Sequence, residues 1–172
     1  MTIPGFGFGL LTPPRRKVFV SYHHHNDRPY YDEFVRLFEN TYEAIQDTSV
    51  GREIDSDDAE YVIRNIRENF LTGSSCTIVL CGNGTPSRKF VDWEIKATLD
   101  KEHGLIGINL PANPSGIVPH RLFDNTQSGY AIWLQWNDII TNRIVLNQQL
   151  ELARQKPRSL IKNSRELRTR NG

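Results

Sequence analysis

The sequence has little of three features that would assign it to a special class of protein: cysteine, net charge and long apolar segments. Two cysteines in 172 residues exclude a disulfide-rich secreted scaffold. A formal charge of +1 leaves no overall field that would attract nucleic acid. No apolar run approaches the roughly 20 residues that span a bilayer, and the first residues lack the charged and apolar regions of a signal peptide. We therefore expect a cytoplasmic globular protein that binds neither nucleic acid nor membrane.

The two cysteines themselves predict buried thiols. Cys76 and Cys81 lie an odd number of positions apart in one apolar segment. If that segment is a strand, their side chains point to opposite faces of the sheet and cannot readily form a disulfide. Free thiols of this kind are typical of a reducing compartment.

Segments with the apolar pattern of strands alternate along the chain with segments whose apolar residues recur at the period of a helix. Five segments have the length and composition of strands, and the segments between them carry apolar residues at helical spacing. The predicted strands are residues 17–22, 41–47, 76–82, 105–110 and 130–136. This alternation predicts an α/β fold of three layers, in which helices cover both faces of a five-stranded parallel sheet.

The composition also predicts the extent of the domain. We expect one domain over residues 17–156, preceded by an extension at 1–16. Residues 157–172 are basic and poorly patterned, so they are expected to form a tail in solvent.

The helical segments carry their own boundary signals. The helix after the third strand is expected to begin with Thr85 as N-cap and Pro86 at its first position. Residues 111–129 are rich in proline, asparagine and glycine and predict an irregular connection. The last helical segment reads as one element with Ile140, Ile144 and Leu152 among its apolar positions.

Polar residues follow each of the first three predicted strands. The segments are SYHHHND after the first strand, QDTSVGREIDSD after the second and CGNGTPSRKFVDWE after the third. Ligands of parallel α/β sheets bind beyond the carboxyl ends of the strands, near a switch in strand order. The three segments therefore predict one pocket.

These segments carry a recognisable pattern. VFVSYHHHND, TIVLCGNGTPSRKFVDWEI and GLIGINLP occur in this order and spacing, and together they resemble the TIR-like domain family that includes the ThsB proteins of Thoeris antiphage defence systems. The resemblance covers about residues 17–136. It implies a flavodoxin-like TIR fold and an enzyme that consumes NAD+ as a substrate, with no bound cofactor.

The resemblance also implies a reaction and a catalytic residue. Catalytic TIR domains depend on a glutamate in the helix after the third strand, and VDWEIKATL places Glu94 at that position. Such bacterial enzymes cleave the bond between nicotinamide and ribose and release a signalling nucleotide, often a cyclic ADP-ribose isomer, which activates a separate effector protein. Their active sites are often completed by a neighbouring subunit, so the resemblance leaves both a monomer and a homo-oligomer open.

Spacing alone leaves two interpretations of Glu94 open. Val91, Ile95 and Leu99 define the inward stripe of the predicted helix, and Glu94 falls at the edge of that stripe. A half-buried carboxylate there could stabilise a cationic ribose centre, or it could be a solvated boundary residue. Trp93 points nearly opposite the stripe, which suits either a stacking or interface surface that contacts substrate, or packing under the loop at 111–129.

The three consecutive histidines admit three explanations: a purification tag, a metal site or a pocket wall. A tag would be terminal and longer, and no second set of ligands accompanies the histidines, so no metal is expected. Imidazoles and amides after a strand can donate hydrogen bonds to phosphate or ribose. The candidate residues of this wall are Ser21, Tyr22, His23, His24 and Asn26.

Two further residues complete the predicted substrate site. Asp47 and the loop that follows it to Asp55 would form the opposite wall. Arg88 lies near the start of the third helix, where it would meet a diphosphate or simply lie at the surface.

Two functions from different classes remain open. One is an enzyme that splits NAD+, and the other is a non-catalytic TIR-like module for assembly with partner proteins. A phosphate-accepting receiver domain would need an aspartate at the end of the third strand, where LCGNG has none. Fold analogy alone does not decide between the two.

Overall fold

The computed structural model describes residues 15–45 and 58–172 and contains a five-stranded, all-parallel sheet. The strands are ordered β2-β1-β3-β4-β5 across the sheet. Their bounds are β1 Arg16–Ser21, β2 Tyr42–Ile45, β3 Ser74–Cys81, β4 Gly104–Asn109 and β5 Ile132–Gln135. The predicted fold is therefore confirmed, and the order changes direction between β1 and β3, where the predicted pocket lies.

Six α-helices occur in the described part of the chain and cover both faces of the sheet. They are α1 Arg28–Phe38, α2 Ala59–Asn65, α3 Lys89–Asp100, α4 His120–Gln127, α5 Trp136–Thr141 and α6 Arg143–Arg154. Apolar residues of α1, α5 and α6 pack on one face of the sheet, and those of α2, α3 and α4 pack on the other. This is the predicted three-layer arrangement.

The central strand β3 is buried on both faces. Cys76 belongs to the core under α1 and α6, and Cys81 to the core under α3 and α4, so the prediction that they point to opposite faces is confirmed. Both thiols are free. Burial raises the pKa of Cys76 to about 12 and also raises that of Cys81, so neither is a nucleophile at neutral pH.

Three predicted boundaries are wrong. Residues 85–87 form a separate 3-10 turn, and α3 begins only at Lys89, because the Thr85 side chain bonds inward to Asp27 instead of capping the helix. The connection at 111–129 contains α4.

The last helical segment is also two helices instead of one. Asn142 has an extended backbone between α5 and α6, and its side chain accepts a hydrogen bond from the N–H of Ile144. The break turns Ile144 and Leu152 outward, where their side chains are 65% and 51% exposed.

The tail at 157–172 packs on the domain, so the expectation that it lies in solvent is wrong. Arg121 of α4 is completely buried, and its guanidinium forms an ion pair with Asp92 at 2.8 Å. The same guanidinium donates to the side chain of Asn163 and to the backbone carbonyls of Arg165 and Glu166. A buried cation thus holds the tail by its polar backbone, which the apolar pattern of the sequence does not reveal.

The far end of the tail reaches the start of α3. Asn171 Oδ1 accepts a hydrogen bond of 2.9 Å from the N–H of Lys89. The N–H of Gly172 donates to the carbonyl of Ser87. The tail therefore runs along the helix that carries Glu94.

Within the described residues, no helix combines the length and the apolar character needed to cross a membrane.

Candidate active site

A cavity of about 200 Å³ lies beyond the carboxyl ends of β1 and β3. Its walls come from the segment after β1 and from the start of α3. The lining residues are Tyr22, His23, His24, His25, Arg88, Phe90, Val91 and Glu94. Strand order thus brings two of the three predicted polar segments together.

Glu94 lies on α3 and is nearly fully buried, with only 2% of its surface exposed. Ser21, the last residue of β1, donates a hydrogen bond to Glu94 Oε2. The spacing argument placed this carboxylate at a half-buried boundary, and that expectation is wrong. Because α3 packs against the sheet with one flank and against α2 with the other, burial extends well beyond the predicted stripe.

The position of the Glu94 carboxylate allows it to stabilise a positive charge in the cavity. A buried carboxylate at the wall of a small cavity interacts with a nearby positive centre more strongly than one in water. The Ser21 hydroxyl fixes the orientation of one oxygen. The arrangement can accept hydrogen bonds from ribose hydroxyls or stabilise a cation at the sugar.

A backbone hydrogen bond fixes which ring nitrogen of His23 accepts and which one donates. Its Nδ1 accepts a hydrogen bond of 3.2 Å from the N–H of Asn26, so the neutral ring carries its proton on Nε2. Burial lowers the pKa of His23, and the nearby Arg88 guanidinium lowers it further. At neutral pH the ring is therefore an uncharged donor at the cavity wall.

Tyr22 and His24 form a stacked aromatic wall. The ring of His24 lies 4.5 Å from that of Tyr22, and Tyr22 lies 4.6 Å from Tyr31 of α1, each pair nearly parallel. Burial raises the pKa of Tyr22 to about 12, so the phenol stays neutral. His24 is exposed and offers its edge to solvent or ligand.

Asp27 is a buried carboxylate that sequence reasoning missed as part of the site. It lies at the N-cap position of α1, but its side chain makes no cap bond and the residue is only 2% exposed. Instead it accepts a hydrogen bond of 3.0 Å from Thr85 Oγ1, which in turn accepts from the N–H of Gly82 at 2.9 Å. Burial raises the pKa of Asp27. The network ties the segment after β1 to the turn after β3.

Gly82 is the one residue whose type in the sequence indicates this network, because its backbone lies close to the Asp27 carboxylate. A Cβ atom on Gly82 would lie 2.2 Å from Asp27 Oδ1, so glycine is required for the carboxylate to fit. The CGNG segment therefore serves close packing, and nothing in the spacing of the sequence predicts that its neighbour is Asp27.

The remaining candidates lie in different places. Arg88 lines the cavity, and its contact with a diphosphate stays a prediction. The Asn26 side chain is not among the lining residues; its backbone N–H donates to His23, and its contact with a ligand also stays a prediction. Asp47 lies outside the described residues.

Trp93 is a core residue, and its assignment to a substrate-stacking surface is wrong. Its ring is buried among residues of α2 and makes an edge contact with Phe90 at 5.3 Å. The indole Nε1–H donates to the carbonyl of Arg168 at 2.9 Å. The alternative, packing under residues 111–129, also fails, because α2 and the tail cover this flank of α3.

The described residues give no support to a metal site at the three histidines. Among the described residues, no group of three or more histidine, cysteine, aspartate or glutamate side chains is arranged to hold a metal ion. The absence of metal from the reaction stays a prediction.

Comparison with known proteins identifies the family. The family model "Thoeris protein ThsB, TIR-like domain" matches residues 19–115, more than half of the chain. A solved structure described as "Structure of the activated Roq1 resistosome directly recognizing the pathogen effector XopQ (TIR domains)" is similar with 13% identity and a TM-score of 0.41, over 84% of this chain and 82% of that one. No curated protein matches the sequence. The match to the family model runs from within β1 to beyond the end of β4 and includes the helix of Glu94, and the chain belongs to the TIR-like domain family of Thoeris ThsB proteins.

Proposed function

We propose that this protein cleaves the bond between nicotinamide and ribose in NAD+. The observation that carries the proposal is the buried Glu94 carboxylate, oriented by Ser21 at the wall of a cavity beyond the sheet. A carboxylate stabilises positive charge that develops beside it, and it does so more strongly in a low-dielectric site than in water.

The proposed reaction balances without a cofactor. The glycosidic bond between ribose C1′ and the nicotinamide nitrogen breaks, and its electron pair leaves with neutral nicotinamide. The positive charge moves to C1′ and the ring oxygen, where Glu94 stabilises it. A nucleophile then bonds to C1′ and loses its proton; this is water in hydrolysis, or an atom of the same ADP-ribose in cyclisation.

The other cavity residues serve binding. His23 donates through Nε2–H, and Arg88 offers a guanidinium that suits the planar geometry of a phosphate. Tyr22 and His24 form the stacked wall beside them. These groups orient the substrate so that its ribose lies next to Glu94.

Family membership extends the proposal to a biological role. We propose that the product is an ADP-ribose-derived, cyclic signalling nucleotide that activates a separate effector protein during antiphage defence. The enzyme would act in the cytoplasm, as a homo-oligomer and without metal. The rival function, a non-catalytic TIR-like interaction module, predicts no product at all.

Mass spectrometry of small molecules tests the proposal. Purified protein is incubated with NAD+, with and without an extract of phage-infected cells. We expect nicotinamide and an ADP-ribose derivative in equal amounts, in at least one of the two conditions. NAD+ left intact in both conditions would favour the interaction module.

A further inference from the structure

A second cleft, of about 600 Å³, lies next to the catalytic cavity. Arg88 lines both spaces. The rest of the second cleft comes from the turn before α3, the start of α4 and the packed tail. Its lining includes Pro86, Asp92, His120, Ser164 and Arg168.

Size indicates that the catalytic cavity takes only part of the substrate. Its volume of about 200 Å³ lies below the roughly 300–1,000 Å³ of most small-molecule sites. NAD+ consists of two nucleotides joined through a diphosphate. The second cleft lies within the usual range and begins where the first cavity reaches Arg88.

Charge in the second cleft suits one nucleotide. Asp92 is paired with Arg121, and Asp124 with Arg165 at 2.7 Å, so neither carboxylate repels an anion strongly. Among the described residues, the guanidiniums of Arg88 and Arg168 form no ion pair with a carboxylate, and Arg168 contacts Asp92 only through its backbone N–H. Two guanidiniums are thus left for phosphate, while Glu166 and His120 can bond to ribose hydroxyls and base edges.

We propose that the second cleft binds the adenosine-phosphate half of NAD+, with Arg88 on the diphosphate between the two spaces. This inference rests on the proposed function and names the second subsite of the same substrate. The tail, by packing against α4, supplies one wall of that subsite.

The direct test is binding of adenosine 5′-monophosphate to the full chain, measured through the chemical shifts of backbone amides in NMR spectra. We expect saturable shifts at His120 and at residues 164–168. Ser164→Tyr places a bulky ring in the cleft at an exposed position, and it should weaken binding tenfold or more. Thr169→Tyr, an exposed tail residue outside the lining, is the matched control and should bind as the parent protein does. Shifts elsewhere only, or no saturable binding, would overturn the proposal.

Kinetics separates this inference from the proposed function. Ser164→Tyr should raise KM for NAD+ about tenfold with little change in kcat, since it blocks binding away from the glycosidic bond. An enzyme that cleaves NAD+ with unchanged KM in this variant would refute the second subsite and leave the function standing. A protein that binds the monophosphate at 164–168 but leaves NAD+ intact would refute the function and leave the subsite standing.

Discussion

At the scale of single residues, the centre of the proposed active site is the buried Glu94 carboxylate and the Ser21 hydroxyl that orients it. Resemblance predicted Glu94, and the residues alone predicted a polar segment beside it. Spacing did not predict the depth of burial, because a helical wheel of α3 cannot show that α2 covers its second flank. For the same reason Trp93 was misassigned to a surface.

Replacing Ser21 by alanine should impair turnover as well as stability. The Glu94 carboxylate would lose its orienting hydrogen bond, and kcat should fall about tenfold or more, while unfolding free energy should drop by about 1–3 kcal/mol. Ser74→Ala is the matched control, since it removes a buried hydroxyl that bonds to the Leu71 carbonyl at the start of β3. The control should lose similar stability and keep full kcat. Equal kcat in both variants would show that Ser21 has only a structural role.

The ionisation of His23 gives a second test at this scale. Because burial and Arg88 lower its pKa, NMR titration of the imidazole should give a midpoint below the ordinary value of 6.5. Arg88→Gln should move that midpoint upward. Arg28→Gln, which removes an exposed arginine bonded to Asp32, should not.

The sign of the pH effect follows from the same shift. A depressed folded-state pKa means that the unfolded chain binds a proton more readily than the folded one. The contribution of His23 to stability is therefore present above pH 6.5 and is lost as pH falls below it. A midpoint at or above 6.5 would contradict the position assigned to the ring.

At the scale of elements, polar contacts join the segment after β1 to the turn after β3, and the tail to α4. The periodicity of the sequence cannot show such contacts. The strand and helix alternation predicted the sheet and its three layers, because buried parallel strands and amphipathic helices have distinct periods. The break at Asn142 and the 3-10 turn at 85–87 escaped prediction because each depends on a side chain that bonds to backbone or to a distant element.

Gly82→Ala should disrupt the junction between the segments after β1 and β3. The added Cβ would overlap the Asp27 carboxylate, and overpacking of this kind costs about 1–3 kcal/mol. Urea unfolding measures the loss. In the double variant with Asp27→Ala, the Gly82→Ala substitution should cost clearly less than it does in the parent protein. Strictly additive effects would show that the two residues do not contact.

The packed tail predicts a difference between two arginines. Arg121→Met leaves Asp92 and several tail carbonyls without their buried donor, and it should destabilise the protein by about 3–5 kcal/mol. Arg165→Met breaks a more exposed pair with Asp124 and should cost about 0–1 kcal/mol. Urea unfolding of both variants is the measurement. Similar small losses would mean that the tail is not held as described.

At the scale of the whole molecule, strand order converts separate sequence segments into one site. The order β2-β1-β3 places the end of β1 next to the end of β3, and so brings Ser21 to Glu94 across a large separation in the chain. Sequence reasoning predicted this convergence from the alternation of elements. It could not predict the second cleft, because that cleft depends on a tail held by polar contacts of its backbone and side chains, which leave no apolar pattern in the sequence.

The most direct test of the central claim compares NAD+ cleavage by the parent protein and by Glu94→Gln. The amide keeps the size of the side chain but removes the charge that stabilises the developing cation. Turnover should fall on the order of 10²-fold or more, although the amide oxygen can still accept the hydrogen bond from Ser21. Release of nicotinamide at the same rate by both proteins would contradict the catalytic role of Glu94.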